Sequence, residues 1–117
     1  MLPAAARMRR AAEFTAAVRR GSRAGKPLLS GHLLVRPVDD PARVGFIVRR
    51  DVGSAVARNR VRRRLRHLAC GHLTSLPGGS LLVLRANPRA VTARQEDLAA
   101  ELDLVIAALL RRQDRAR

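Results

Sequence analysis

The chain has 117 residues, with 24 Lys+Arg against 9 Asp+Glu and a formal net charge of +15, which predicts one domain over 1–117 and a polyanionic partner, either nucleic acid or an anionic surface. The longest apolar run, Leu104 to Leu110, has seven residues, against the ~18–20 needed to span a membrane, and a lone Cys70 cannot close an internal disulfide. A membrane protein and a disulfide-stapled secreted scaffold are thereby excluded, and a small, soluble, intracellular domain with a Leu- and Val-built core is expected.

Residues 1–10 are rich in Ala and Arg and show little core pattern. From Ala11 to Arg20 the spacing turns helical: Phe14 and Val18 are four apart on one face, flanked by Ala11 and Ala17. Gly21 stands where a C′ glycine stops a helix, and Arg19 and Arg20 suit its negative end. The basic, acid-poor start also has the composition of a transit peptide, but the Phe14/Val18 face assigns it to the fold. Ser22 to Pro27 reads as a loop. Leu28 to Val38 reads as a strand, Asp39-Asp40-Pro41 as a turn, and Arg43 to Arg49 as a second strand. The short turn between the two strands predicts an antiparallel pair.

Ser54 is a candidate N-cap for a helix from Ala55 to about Gly71. Pro77-Gly78-Gly79 breaks the chain before a third strand, Ser80 to Ala86, apolar enough to be covered by helices. Asn87-Pro88 ends it. Thr92 and Gln95 match a capping box ahead of a helix whose Leu98, Leu102, Val105 and Leu109 form one stripe. The order is α-β-β-α-β-α, an α/β (α+β) chain.

The charge is concentrated. Residues 52–95 hold nine arginines and no carboxylate, whereas four of the nine acids lie in 96–103. A merely solvated surface mixes signs. Within Ala57 to Cys70, Ala57, Val61, Leu65 and Leu68 occupy an arc of about 80°, and arginines fill the rest. Five like-charge neighbours cost roughly 1–2.5 kcal/mol at low salt, and no glutamate offsets them. A phosphate backbone would turn that repulsion into attraction. Asn59, among the arginines, can both donate and accept, which suits a base edge or a sugar hydroxyl.

The run Arg58-Asn59-Arg60-Val61-Arg62-Arg63 resembles the RNR motif of the bacterial ribonuclease P protein family. Gly45 to Arg66 resembles that family's passage from the second strand into the RNR helix. Leu2 to Gly21, with Glu13-Phe14, resembles its opening, and Leu81 to Pro88 its last strand. The resemblance covers nearly the whole chain in order. It implies a small two-layer sandwich, a mixed sheet with helices and a left-handed βαβ crossover, where a right-handed one is the usual expectation. It also implies a protein cofactor that does not cut RNA itself. A catalytic RNA subunit would use Mg²⁺, held mainly by the RNA, to remove the 5′ leader from precursor tRNA in the cytoplasm, with no obligate protein partner.

Carried over, Arg58, Asn59, Arg60, Arg62, Arg63 and Arg66 would face the RNA subunit, joined by Arg50, Arg9 and Arg10. Phe14, Val18 and His32 would line a cleft for the single-stranded leader. Phe14 can stack on a base, and the bland alternative is helix packing on the sheet. Val18 stands where an aromatic is common and offers no ring. Where the family carries two lysines after the second strand, this chain has Arg50 and Asp51.

Other chemistry is disfavoured. His67, Cys70 and His72 point apart on the wheel and cannot converge on one metal ion. Pro77-Gly78-Gly79 lacks the lysine and spacing of a phosphate loop. No catalytic protein site is expected. A general RNA-binding module explains the charge but not the ordered matches. An RNA-recognition-motif sheet needs stacking aromatics that are absent here, and a DNA-reading helix would prefer a duplex sequence.

Overall fold

The computed structural model describes residues 2–115. Its strands are β1 (Ser22–Gly25), β2 (Leu29–Val35), β3 (Arg43–Ile47) and β4 (Ser80–Ala86). Its helices are α1 (Ala11–Arg20), α2 (Ala55–Cys70) and α3 (Gln95–Arg115). They form an α+β fold on one mixed sheet of order β1-β2-β4-β3. β4 takes the interior because SLLVLRA is apolar on both faces, and six of its seven residues are buried. It pairs antiparallel with β2 and parallel with β3.

The expected β2–β3 pair therefore does not form. The turn at Asp39-Asp40-Pro41 reverses the chain, but β4 lies between the two strands. β3 and β4 run parallel, so a crossover must join them, and α2 is that crossover. Ser22–Gly25, expected as a loop, is an edge strand pairing with β2. Its only inward apolar side chain is Ala24, too weak a pattern to read from sequence; the backbone pairing makes the strand.

Alternation divides the sheet into two faces. Leu29, Leu33, Val44, Leu82 and Leu84 face the main core, where α2 and α3 pack. The α3 stripe of Leu98, Leu102, Val105 and Leu109 is buried as expected, with Ile106 beside it. On α2, Val61, Leu65 and Ala69 are buried, while Ala57 and Leu68 are only half-buried. Burying one Val or Leu contributes ~1.5–3 kcal/mol, so Val61 and Leu65 together outweigh the repulsion among the arginines. The opposite face carries Leu81 and Val83, covered by α1 through Ala17. Ala17, not Val18, is the buried centre of α1, and Val18 is 40% exposed.

Three of the opening residues also join the buried interior. Leu2, Ala6 and Met8 are buried, and Arg7 bridges Val44 in parallel along the open edge of β3. The Met8 amide donates to the Val44 carbonyl at 2.9 Å. Gly21 ends α1, though not in a left-handed conformation; its φ is −79°. A Cβ there would lie 2.4 Å from the Ala17 carbonyl oxygen and 2.7 Å from that of Leu33, so closeness to the sheet excludes a side chain. The Thr92 capping box is not formed. Thr92 closes a 3₁₀ turn, Pro88–Val91, α3 begins at Gln95, and the Gln95 side chain is used elsewhere. No helix among the described residues is long and apolar enough to cross a membrane.

Candidate nucleic-acid interface

α2 begins at Ser54, whose hydroxyl accepts from the Ala57 amide at 3.1 Å. With its Val61–Leu65–Ala69 stripe on the core, the helix sorts its arginines by direction. Arg60 and Arg63 are exposed, as is Asn59. Arg58, Arg62 and Arg66 are half-buried in one column four apart. Asn59 Oδ1 accepts from Arg62 Nη1 at 3.0 Å, so in the free chain Asn59 orients Arg62.

Arg64 has a different role. Its Nε donates to Gln95 Oε1 at 2.9 Å and its Nη1 to the Ala90 carbonyl at 3.1 Å, while Nη2 donates to the Ala93 carbonyl. One guanidinium thus ties α2 to the entry of α3. Replacing Arg64 by Ala removes these charge-assisted bonds and leaves backbone acceptors unpaired. It should cost roughly 1–3 kcal/mol, read as a lower denaturation midpoint. The same change should leave the salt dependence of RNA binding at its wild-type slope, whereas Arg60→Ala should lower that slope without a loss of stability.

Two of the hollows beside α1 also border the sheet. The larger, about 660 Å³, is bordered by Arg7, Arg9, Arg10, Arg36 and Arg43, but also by Glu13 and Asp40. Glu13 Oε2 accepts from Arg43 Nη1 at 2.7 Å and lies 3.8 Å from Arg36 Nη1. Arg36 also reaches Asp40 at 3.9 Å. Its positive charge is thus already partly matched. The smaller groove, about 380 Å³, is lined by Arg7, Arg9, Arg62 and Arg66 together with Met8, Phe14, Val44, Gly45 and Phe46, and by no carboxylate. It suits a phosphate backbone better, despite its size.

Phe14 sits on the bare backbone of Gly45. A Cβ at Gly45 would lie 2.5 Å from Cε1 and Cζ of the ring. The half-buried ring lines this groove together with Arg62 and Arg66. His32 lies on the same sheet face, level with Val83 and Gly45 through the strand register, but does not line this groove. Burial, and then the fields of Arg23 and Arg85, hold its pKa below the usual histidine value. Val18 is exposed on α1. Arg50 is exposed in the 3₁₀ turn Arg50–Val52, next to exposed Asp51 and outside the groove lining.

Sequence reasoning missed Arg7 as a groove residue. The signal available was slight: Arg7 stands between Ala6 and Met8, both buried. Among the described residues, no group of three His, Cys, Asp or Glu side chains gathers into a metal-ligating cluster. His72 Nε2 instead meets Asp103 Oδ1 at 2.8 Å.

Comparison with known proteins agrees with this geometry. A family model described as Ribonuclease P matches residues 2–110. The ribonuclease P protein component of a Nocardioides species is 56% identical over 105 residues, covering 88% of this chain and 90% of that protein. That of Streptomyces bikiniensis is 49% identical over 118 residues, covering 94% and 96%. Among solved structures, the RNase P protein of Staphylococcus aureus superposes with a TM-score of 0.78 at 21% identity, covering 89% of this chain and 94% of that one. That of Thermotoga maritima gives 0.73 at 19% identity, covering 90% and 96%. The groove, the arginine helix and a family match running almost end to end converge: this chain belongs to the ribonuclease P protein family.

Proposed function

We propose that this chain is the cytoplasmic protein cofactor of a ribonuclease P ribonucleoprotein, binding its catalytic RNA through α2 and the 5′ leader of precursor tRNA along the groove beside α1. One observation carries the reading: Phe14, a ring able to stack on a base, shares a carboxylate-free groove with Arg62 and Arg66 of the RNR helix. Arg58, Arg60 and Arg63, with Asn59, would extend the contact onto the RNA subunit, and Arg9 and Arg10 would extend it from the entry of α1. Guanidinium forks suit paired phosphate oxygens.

The reading leaves hydrolysis to the RNA. The carboxylates of the larger hollow do not suit a dedicated Mg²⁺ site: Glu13 and Asp40 face Arg43 and Arg36. Mg²⁺, when bound, would activate the attacking water within the RNA subunit. The protein's own residues hold and orient the two RNAs.

The test is precursor-tRNA cleavage at low Mg²⁺ by a cognate ribonuclease P RNA, with and without the chain. Cleavage at the mature 5′ end that depends on the chain is expected. With about five phosphates engaged, log affinity for the RNA should fall with log salt with a slope of about −4. Tight RNA binding without stimulation would leave only a general RNA-binding module. A flat salt response would overturn the electrostatic account.

A further inference from the structure

The larger hollow and the smaller groove share two arginines. Arg7 and Arg9 border both, so a single strand of RNA reaching these side chains has two ways to go. One leads past Phe14 into the smaller groove. The other leads into the larger hollow, where Arg10, Arg36 and Arg43 add three more guanidiniums. By volume and by arginines the larger hollow is the stronger trap for phosphate. Two carboxylates stand against that.

Both are held in place. Glu13 is the one acid among residues 1–26, and its side chain is only 11% exposed. Its Oε2 accepts from Arg43 Nη1 at 2.7 Å and lies 3.8 Å from Arg36 Nη1. It therefore takes the place beside two guanidiniums that a phosphate oxygen would take. Asp40 is fixed through its backbone, since the Gly79 amide donates to its carbonyl at 2.8 Å. The Gly79 carbonyl in turn accepts from the Arg36 amide and from Arg36 Nε, each at 3.2 Å. Gly79 has a φ of +81°, and a Cβ there would lie 2.3 Å from the Arg36 carbonyl oxygen, so only glycine closes this turn. Arg36 Nη2 is buried without a hydrogen-bond partner among the described residues, 3.9 Å from Asp40 Oδ2. An anion would serve it better. The seat of α1 on the sheet does not depend on these charges, because Ala17 and Phe14 already pack against Leu81 and Val83.

We propose that Glu13 and Asp40 are specificity-determining residues: they shut the larger hollow to phosphate, so that a single strand arriving at Arg7 and Arg9 enters the groove at Phe14. This rests on the leader-binding reading above and adds what keeps other single strands from being held beside it. Removing a carboxylate should then strengthen RNA binding, the reverse of what loss of a fold-supporting ion pair would do.

The test measures binding of a single-stranded oligouridylate to the full chain, and its inhibition of precursor-tRNA cleavage by the reconstituted holoenzyme. Each phosphate contact on a single strand adds about −0.7 to the salt slope and is worth about fourfold between 1 M and 0.15 M salt. Glu13→Gln, which keeps an acceptor for Arg43 but no charge, should bind the oligouridylate about fourfold tighter at 0.15 M salt. Glu13→Gln with Asp40→Asn should bind it about tenfold tighter, with a slope steeper by roughly 1.4. The double variant's holoenzyme should be inhibited at about tenfold lower oligouridylate, and without competitor it should cleave as wild type does. Adding Arg43→Gln to Glu13→Gln should return affinity to the wild-type value. Unchanged or weaker oligouridylate binding overturns the proposal, and so does tighter binding with no greater sensitivity of the holoenzyme. Should Glu13→Gln melt below the assay temperature, Asp40→Asn at the more exposed carboxylate carries the test, with about a twofold gain expected and no gain overturning it. A wild-type holoenzyme that does not prefer leader-bearing precursor to mature tRNA overturns the leader-binding reading, while the oligouridylate affinities still decide whether the carboxylates shut the hollow.

Discussion

Reversing two exposed charges, Arg60→Glu with Arg63→Glu, is expected to lower affinity for the ribonuclease P RNA roughly 100-fold at 0.15 M salt without lowering the melting temperature. Each phosphate contact contributes about −0.9 to the slope of log affinity against log salt, so between 1 M and 0.15 M salt it is worth roughly fivefold. Two lost contacts give about 30-fold, and two carboxylates facing phosphates repel beyond that. Stability should move the other way. Arg60 and Arg63 are exposed and make no contact that holds the fold. The two introduced carboxylates would stand three or four residues from Arg64 and Arg66, replacing repulsive pairs with attractive ones at ~0.2–0.5 kcal/mol each. Filter binding and a thermal melt on the same preparation decide the matter. Unchanged affinity removes α2 from the RNA interface. Lost affinity with a lowered melt means these arginines support the fold in a way the structure does not show.

Arg64 makes the contrast informative. It lies in the same run and carries the same charge, yet its donors are spent on Gln95, Ala90 and Ala93. The resemblance leaves Arg64 out of the RNA-facing set, but the wheel gives only its direction, not the partners that lie there. The elements legible in the sequence share a cause. α2, β4 and α3 carry dense, regular apolar patterns that name their own buried side, and the α3 stripe is buried residue for residue. What is not legible depends on long-range pairing. β1 and the segment through Arg7 have almost no pattern of their own and are ordered by the backbone of β2 and β3. The β2–β3 pair is misread because a short turn favours neighbours, while β4, arriving some forty residues later, offers both strands a more apolar partner. In the candidate site, the arginines of α2 and Phe14 are legible from the motif. Arg7 is not, because its placement is set by its bridge to Val44 on the edge of β3.

Two opposite changes at one contact should produce the same defect. Phe14→Ala removes the ring; Gly45→Val keeps it but pushes it away, since a Cβ at Gly45 would stand 2.5 Å from two ring carbons and 3.1 Å from Met8 Cβ. If the ring stacks on a leader base, its loss costs ~1–3 kcal/mol, a roughly 5- to 150-fold weaker grip on leader-bearing precursor, with mature tRNA bound as before. Both variants should show that selective loss, with Gly45→Ala intermediate because a single methyl needs a smaller shift. The ring is half-buried and Ala17, not Phe14, is the buried centre of α1, so Phe14→Ala should still fold; circular dichroism melts check this for each variant. Equal losses for precursor and mature tRNA would make Phe14 a packing residue only. A folded Gly45→Val chain with its leader preference intact would show that the ring reaches the leader from some position other than its seat on β3. The glycine is therefore a second probe of the same contact: it lines the groove beneath the ring, and a side chain added there meets the ring first, at 2.5 Å.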